Sequence, residues 1–192
     1  MKKALKLLIF VILIAGFIYL GKKDYKIDKK KQVINHKTST VLLDGKSVFT
    51  EVNHSKLLSE ITEKNANLIF YACVENNKLC ALYGNLINEI ASNYSISEIY
   101  YYDFEKDRKN NNATYQRIIT KLSDYLLTDD TGRQNLYSPT LVFIKNGEVY
   151  AFDDTLSMYR GNATAKDYYS DEVESERREY LINAFEGYIS YE

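Results

Sequence analysis

The two cysteines of this sequence, Cys73 and Cys80, are its clearest candidates for chemistry. The loop between them is long enough to fold back, so that the sulfurs can approach to the roughly 2 Å of a disulfide bond. We expect Cys73 to be the exposed attacking thiol, with Lys78 favouring its thiolate, because Cys80 lies about one turn inside a predicted helix. Three interpretations stay open: an exchangeable dithiol, a structural disulfide and two unpaired thiols.

Other chemistries fit the sequence less well. His36 and His54 would add to the two cysteines as possible zinc ligands, but the spacing matches no zinc motif. The acidic pairs at 129–130 and 153–154 are predicted to be turn residues rather than acid/base catalysts. The sequence has no phosphate-binding or dinucleotide-binding glycine pattern. We therefore predict no metal and no cofactor.

Length and composition predict one globular domain with an attached segment. The chain has 192 residues, of which 45% are hydrophobic and 27% charged, and its two cysteines are too few for a disulfide-built mini-protein. Residues 32–192 hold 16 basic and 24 acidic residues, a net charge of −8. Because nucleic-acid binding needs a basic surface, we exclude nucleic acid as a partner.

The first segment, residues 1–21, is predicted to be a transmembrane anchor or signal segment. From residue 4 to residue 21 its only charge is Lys6, which can reach the membrane interface. As a helix this stretch would span roughly 27 Å, close to the roughly 30 Å hydrocarbon core of a bilayer. An uncleaved anchor is the leading interpretation, because residues 18–21 make a poor signal-peptide cleavage site. A cleaved signal peptide and a buried helix are the alternatives.

A Lys-rich stalk, residues 22–38, follows the anchor and would lie at an anionic lipid surface. Residues 39–192 form the predicted folded domain. Charge counting favours a cytoplasmic domain, because the basic cluster at 22–31 is larger than the one before the anchor. A short basic start before an apolar run is typical of export signals, however. We therefore predict a single-pass protein of the cell membrane with an extracytoplasmic domain.

Hydrophobic periodicity in the domain predicts alternating strands and helices. Asn146-Gly147 predicts a two-residue hairpin turn, and Ser170 the N-cap of the last helix. The predicted order is a strand at 40–43, a helix at 47–64, a strand at 67–72, a helix at 79–94, a strand at 99–102, a helix at 114–127, strands at 140–144 and 148–152, and a helix from 170. This order predicts an α/β domain with a sheet covered on both faces.

The segment from Tyr137 to Val149, which contains the single proline, resembles the cis-proline segment and β-hairpin of thioredoxin. The N-terminal half of the domain also resembles thioredoxin, since a buried strand ends with Phe70 to Ala72 and a helix then runs to Ala91. The resemblance covers roughly residues 38–190. It implies an α/β, thioredoxin-like fold with a central mixed sheet flanked by helices, preceded by an N-terminal transmembrane helix. The anchored layout is similar to membrane-tethered thioredoxin-like proteins of Gram-positive bacteria, including bacteriocin transport accessory proteins.

The same resemblance implies a role for each candidate site residue. Pro139 would be cis and, with Ser138, would lie against the cysteine pair and present backbone groups to an extended polypeptide or other thiol substrate. One thiolate of Cys73 and Cys80 would attack a substrate disulfide, and the second would resolve the mixed disulfide. The implied function is thiol–disulfide exchange on, or disulfide support for, exported polypeptides, by an oxidoreductase with a non-standard Cys-x6-Cys pair.

Two positions depart from the family pattern. The family has Cys-x-x-Cys at the start of the helix, where Cys80 matches the second cysteine and Asn77 the first. It also buries an acidic residue in the preceding strand, where this chain has Ile69. Two rival hypotheses therefore stay open: a non-catalytic binding or accessory module of an export system, and a structural subunit of a membrane export assembly.

Overall fold

The computed structural model of this protein describes residues 47–158 and 168–190. The predicted anchor at 1–21, the stalk at 22–38 and the strand at 40–43 lie outside these residues. Among the described helices, none is both long and apolar enough to cross a membrane.

The described strands form one mixed sheet. They are β1 (Phe49–Glu51), β2 (Leu68–Cys73), β3 (Ile99–Asp103), β4 (Thr140–Lys145) and β5 (Glu148–Asp153). Their order across the sheet is β1-β3-β2-β4-β5. β1, β3 and β2 run parallel to one another, and β4 is antiparallel to both β2 and β5. The three parallel strands therefore end at the same edge of the sheet.

Helices cover both faces of this sheet. Those that the structure describes are α1 (His54–Ile61), α2 (Lys78–Asn93), α3 (Glu105–Lys109), α4 (Ala113–Lys121) and α5 (Asp171–Ile189), with a 3-10 turn at Thr155–Met158. One hydrophobic core lies between the sheet and the pair α2 and α5, and a second between the sheet and the pair α1 and α4. The fold is thus three-layered, as the alternating pattern predicted.

The central strand β2 is buried on both faces, as its continuous apolar run predicted. Ile69, Tyr71 and Cys73 belong to the core beneath α2 and α5, whereas Phe70 and Ala72 belong to the core beneath α1 and α4. Because side chains alternate along a strand, the last residue of β2 directs its sulfur to the α2 side of the sheet. This alternation places the first cysteine under the start of α2.

The predicted helix at 47–64 is wrong in its first half. Residues Phe49–Glu51 form the edge strand β1, which pairs in parallel with β3. The side chain of Asn53 then caps α1 by accepting a hydrogen bond from the backbone N–H of Lys56 at 2.9 Å. Val48 and Val52 flank the strand and are not part of a helical stripe.

The other predicted elements within the described residues are present, although one helix ends six residues earlier than predicted. The predicted helix at 114–127 is α4, which stops at Lys121. At the hairpin turn, Asn146 and Gly147 both have positive φ values, of 52° and 79°, as a primed two-residue turn requires. The hydroxyl of Ser170 accepts a hydrogen bond from the backbone N–H of Val173 at 3.3 Å, which confirms it as the N-cap of α5.

Candidate functional site

Cys73 and Cys80 form a disulfide bond at the edge where the parallel strands end. Cys73 is the last residue of β2 and Cys80 lies in the first turn of α2, with their Cα atoms 6.2 Å apart and their sulfurs 2.17 Å apart. The interpretation as two unpaired thiols is therefore excluded in this state. An exchangeable dithiol and a structural disulfide both fit the bonded pair.

The expectation that Cys73 is the exposed thiol is wrong. Cys73 is 0% exposed and Cys80 is 5% exposed. Cys73 is buried because its side chain points into the core beneath α2, and its carbonyl oxygen also accepts a hydrogen bond from the backbone N–H of Phe104 at 3.3 Å. Lys78, expected to favour the Cys73 thiolate, is exposed at the start of α2.

Ser138, the residue before the cis-proline, lies against the disulfide. The Ser138–Pro139 peptide bond is cis, Pro139 is buried and Ser138 is half-buried. The Oγ atom of Ser138 lies 3.0 Å from the Sγ atom of Cys80 and accepts a hydrogen bond from the backbone N–H of Val74 at 3.0 Å. The side chain of Ser138 thus contacts the loop between the two cysteines as well as the sulfur itself.

Asn77 connects the start of α2 to this serine. Its Oδ1 atom accepts hydrogen bonds from the backbone N–H groups of Leu79 and Cys80, at 2.9 and 3.3 Å, and so caps the helix. Its Nδ2 group donates to the carbonyl oxygen and to the Oγ atom of Ser138, at 3.4 and 3.3 Å. Sequence reasoning noted Asn77 only as a missing cysteine, although an Asn just before an amphipathic helix is a signature of an N-cap.

Tyr71, on β2, contacts the first turn of α2. Its hydroxyl donates a hydrogen bond to the carbonyl oxygen of Cys80 at 2.9 Å. Burial raises the pKa of Tyr71 well above its ordinary value, so this group remains a neutral donor at physiological pH. The first turn of α2 is therefore held both by its Asn77 cap and by a buried phenol of β2.

A buried carboxylate lies on the same side of the sheet. Asp153 is 3% exposed; its side chain accepts a hydrogen bond from the Tyr83 hydroxyl and forms an ion pair with Arg177 at 3.2 Å. The prediction that the pair 153–154 consists of turn residues is wrong for Asp153, which is the last residue of β5. Burial, together with the charge of Asp153, raises the pKa of Asp154.

The strand ends around the site carry acidic side chains. Burial, together with the negative charges of Asp103, Glu51 and Glu75, raises the pKa of Tyr101 to about 12. Glu75 is exposed in the loop between the two cysteines, and Asp103 is paired in register with Cys73. These three carboxylates thus lie near Tyr101, at the ends of β1 and β3 and in the loop between the cysteines.

The four possible zinc ligands do not come together among the described residues. His36 lies outside them, and the two cysteines are bonded to each other. His54 contacts Asp107 at 3.0 Å, and the Tyr102 hydroxyl donates to the same carboxylate at 2.9 Å. Within residues 47–158 and 168–190 there is no group of three or more His, Cys, Asp or Glu side chains that could hold a metal ion.

Similarity to known proteins is found among solved structures. No family model matches the sequence, and a search among curated proteins found no match. Among solved structures, the chain is similar to thioredoxin O2 from Arabidopsis thaliana in its oxidised state, at 17% sequence identity and a TM-score of 0.39. This similarity covers 68% of this chain and 94% of that one.

The topology carries the assignment of the fold. A mixed sheet in the order β1-β3-β2-β4-β5, flanked by helices on both faces, fits the thioredoxin-like fold. The disulfide follows the central strand and lies beside the cis-proline that precedes β4. Together they define a thioredoxin-like domain with an internal disulfide, an arrangement that suggests thiol–disulfide redox chemistry.

Proposed function

We propose that this protein carries out thiol–disulfide exchange on extended polypeptides, with Cys73 and Cys80 as its redox pair. The observation that supports this most strongly is the contact of 3.0 Å between the Sγ atom of Cys80 and the Oγ atom of Ser138, the residue before the cis-proline. A permanent cross-link could lie anywhere in the fold, whereas this disulfide lies at the loop where the resemblance expects a substrate.

The exchange needs two thiol groups on the substrate and no further cofactor. A substrate thiolate attacks one sulfur of the pair, the bond between Cys73 and Cys80 breaks, and the other cysteine leaves as a thiolate. The second substrate thiolate then attacks the substrate sulfur of the mixed disulfide and releases the protein's remaining cysteine as a thiolate. The substrate has been oxidised to a disulfide and the protein reduced to a dithiol, and the reverse sequence reduces a substrate disulfide.

We place this activity at the outer face of a cell membrane. The apolar segment 1–21 would anchor the chain, the stalk 22–38 would hold the domain near the lipid surface, and exported polypeptides would be the substrates. The resemblance to membrane-tethered thioredoxin-like proteins, including bacteriocin transport accessory proteins, supports a role beside an export system.

Trapping of the mixed disulfide tests this function. The full-length chain is prepared as wild type, Cys73→Ser and Cys80→Ser, reduced, and mixed with a synthetic extended peptide that contains one disulfide. We expect the wild type to reduce the peptide and one of the two variants to accumulate a covalent adduct that mass spectrometry detects. If the wild type leaves the peptide disulfide intact and neither variant forms an adduct, the proposal is wrong.

The burial of both sulfurs favours a second candidate, a binding module with a permanent disulfide. Cys73 and Cys80 are 0% and 5% exposed, so a partner thiolate has little access to either sulfur. In this case the full-length chain would bind the peptide equally well before and after Cys73→Ser and Cys80→Ser, and no adduct would form.

A further inference from the structure

The hydrogen bonds around Ser138 determine which way its O–H bond points. A serine hydroxyl offers one hydrogen and two lone pairs. The backbone N–H of Val74 and the Nδ2 group of Asn77 both donate to this oxygen, at 3.0 and 3.3 Å, and occupy its accepting positions. The sulfur of Cys80, 3.0 Å away, carries no hydrogen in a disulfide. The hydroxyl hydrogen of Ser138 therefore points at the Cys80 sulfur.

This direction matters most when the disulfide is reduced. A Cys80 thiolate would accept the Ser138 hydrogen bond in a charge-assisted form, which is stronger than the neutral one. A protonated Cys80 would instead need an acceptor, and the Ser138 oxygen already accepts from Val74 and Asn77. Cys80 also lies in the first turn of α2, where a helix N-terminus favours a thiolate.

The surroundings of Cys73 favour the thiolate less than those of Cys80 do. Both cysteines belong to the core beneath α2 and α5, where apolar surroundings favour the neutral thiol. Cys80 has the Ser138 hydroxyl and the start of α2 beside it, whereas Cys73 is completely buried at the end of β2. The two sulfurs of the reduced pair would thus differ in charge, although they are neighbours in space.

We propose that Cys80, and not Cys73, is the nucleophilic thiolate of the reduced pair, and that Ser138, held by Asn77, is the residue that positions and stabilises it. This inference rests on the proposed exchange function and assigns the order of its steps. Cys80 attacks the substrate disulfide and forms the mixed disulfide, one substrate sulfur leaves as a thiolate, and Cys73, once deprotonated, attacks the Cys80 sulfur to release the second. The order is opposite to the expectation from sequence, in which Cys73 attacks.

Several other titratable or charged groups lie in the loop between the cysteines or on the elements packed around the pair. Exposed Glu75 and Lys78 carry opposite charges and are screened by solvent. Titratable or charged groups of the same core and of the neighbouring strand end include Tyr71, Tyr83, Tyr101, Asp103, Asp153, Tyr168, Tyr169, Arg177 and Tyr180. Asp153 is paired with Arg177. The Ser138 hydroxyl is the group in hydrogen-bonding contact with the Cys80 sulfur.

Alkylation of the reduced full-length chain tests the assignment. The protein is treated with iodoacetamide between about pH 5 and pH 10, a range that brackets the ordinary cysteine pKa of about 8.5, and the modified cysteine is identified by mass spectrometry. We expect Cys80 to react first, with a midpoint below that of Cys73. Ser138→Ala should raise the Cys80 midpoint by about one pH unit and slow its reaction near neutral pH about tenfold. Ser138→Thr keeps a hydroxyl and should retain the low midpoint.

Asn77→Ser provides a matched variant, because serine keeps a neutral helix cap but removes the donor to Ser138. It should raise the Cys80 midpoint less than Ser138→Ala does. Faster reaction of Cys73 in the wild type, or an unchanged Cys80 profile in Ser138→Ala, would overturn the inference. Alkylation needs no substrate, so its outcome does not depend on the exchange function. An adduct trapped through Cys73 would support that function while contradicting this assignment.

Discussion

Asn77 shows how one side chain can serve two structural purposes at the site. Its oxygen caps α2 through the N–H groups of Leu79 and Cys80, and its nitrogen ties the helix start to Ser138. In the thioredoxin pattern this position belongs to a cysteine, so from sequence it suggests lost chemistry. In the structure it is the residue that joins the cysteine loop to the cis-proline loop, while the disulfide is made by Cys73 instead.

Removal of this side chain should destabilise the oxidised protein. We expect Asn77→Ala to lower the free energy of unfolding by about 1 kcal/mol, the usual effect of losing an N-cap. Asn77→Ser retains a capping oxygen and should lose less than half of that amount. Urea unfolding of the disulfide-bonded chain measures both values. Equal losses in the two variants would contradict the assignment of the cap as the main contribution.

At the scale of elements, the hairpin between β4 and β5 depends on close packing as well as on turn chemistry. Gly147 has a φ of 79°, and a Cβ atom at this position would collide with the backbone carbonyl oxygen of Lys64. Its backbone N–H also donates to the carbonyl oxygen of Ala66 at 3.0 Å. The turn is therefore fixed against the segment that leads into β2, the strand that ends at the disulfide.

Gly147→Ala should be more destabilising than the same change at a turn with free space. Gly132 has the same φ of 79°, but a Cβ atom there would meet nothing within 4 Å beyond its chain neighbours. We expect Gly132→Ala to cost about 1 kcal/mol from its backbone conformation alone, and Gly147→Ala to cost at least about 2 kcal/mol because a backbone collision is added. Thermal or urea unfolding compares them, and similar losses would show that the contact with Lys64 relaxes without cost.

The long strands and helices could be predicted from sequence because each carries its own pattern of apolar residues. The strand β2 is a continuous apolar run, and α2 has a clear amphipathic stripe. The strand β1 could not be predicted, because two of its three residues are exposed and its extended form depends on pairing with β3, which is distant in sequence. Helix periodicity in the surrounding residues therefore produced the wrong element there.

The residues of the site could be predicted from sequence, but the bonding and burial of their side chains could not. The cis-proline and its position beside the cysteines followed from the resemblance, whereas the spacing of Cys73 and Cys80 alone allowed three interpretations. The burial of Cys73 depends on the packing of α2 over the sheet. Likewise, Asp153 belongs to an Asp-Asp pair typical of turns, and its burial depends on Tyr83 and Arg177. Partners remote in sequence decide these features.

At the scale of the whole molecule, buried tyrosines make the fold sensitive to alkaline pH. Burial is the main cause that raises the pKa of both Tyr101 and Tyr188 to about 12, above the ordinary value of 10.0. The same cause raises the pKa of Tyr71 and Tyr83 well above that value. A neutral phenol is favoured in the folded state, so this contribution to stability is fully present below the ordinary pKa and is lost as the pH rises through the folded-state values.

The free energy of unfolding should therefore fall between about pH 10 and pH 12. Urea unfolding at pH values from about 9 upward, combined with tyrosinate absorbance in the folded state, measures the stability and the ionisation separately. We expect absorbance from the buried phenols to appear only as the protein unfolds. A constant stability across this range would contradict the burial of these side chains.

The reduction potential of the bond between Cys73 and Cys80 distinguishes an exchangeable disulfide from a permanent one. The full-length chain is equilibrated in thiol–disulfide buffers of graded potential, and the reduced fraction is counted by thiol labelling and mass spectrometry. Because the Ser138 hydroxyl stabilises a Cys80 thiolate in the reduced protein, we predict a reversible two-electron transition above about −300 mV, with a lower potential in Ser138→Ala. A potential well below about −300 mV would identify a structural disulfide and rule out the proposed exchange.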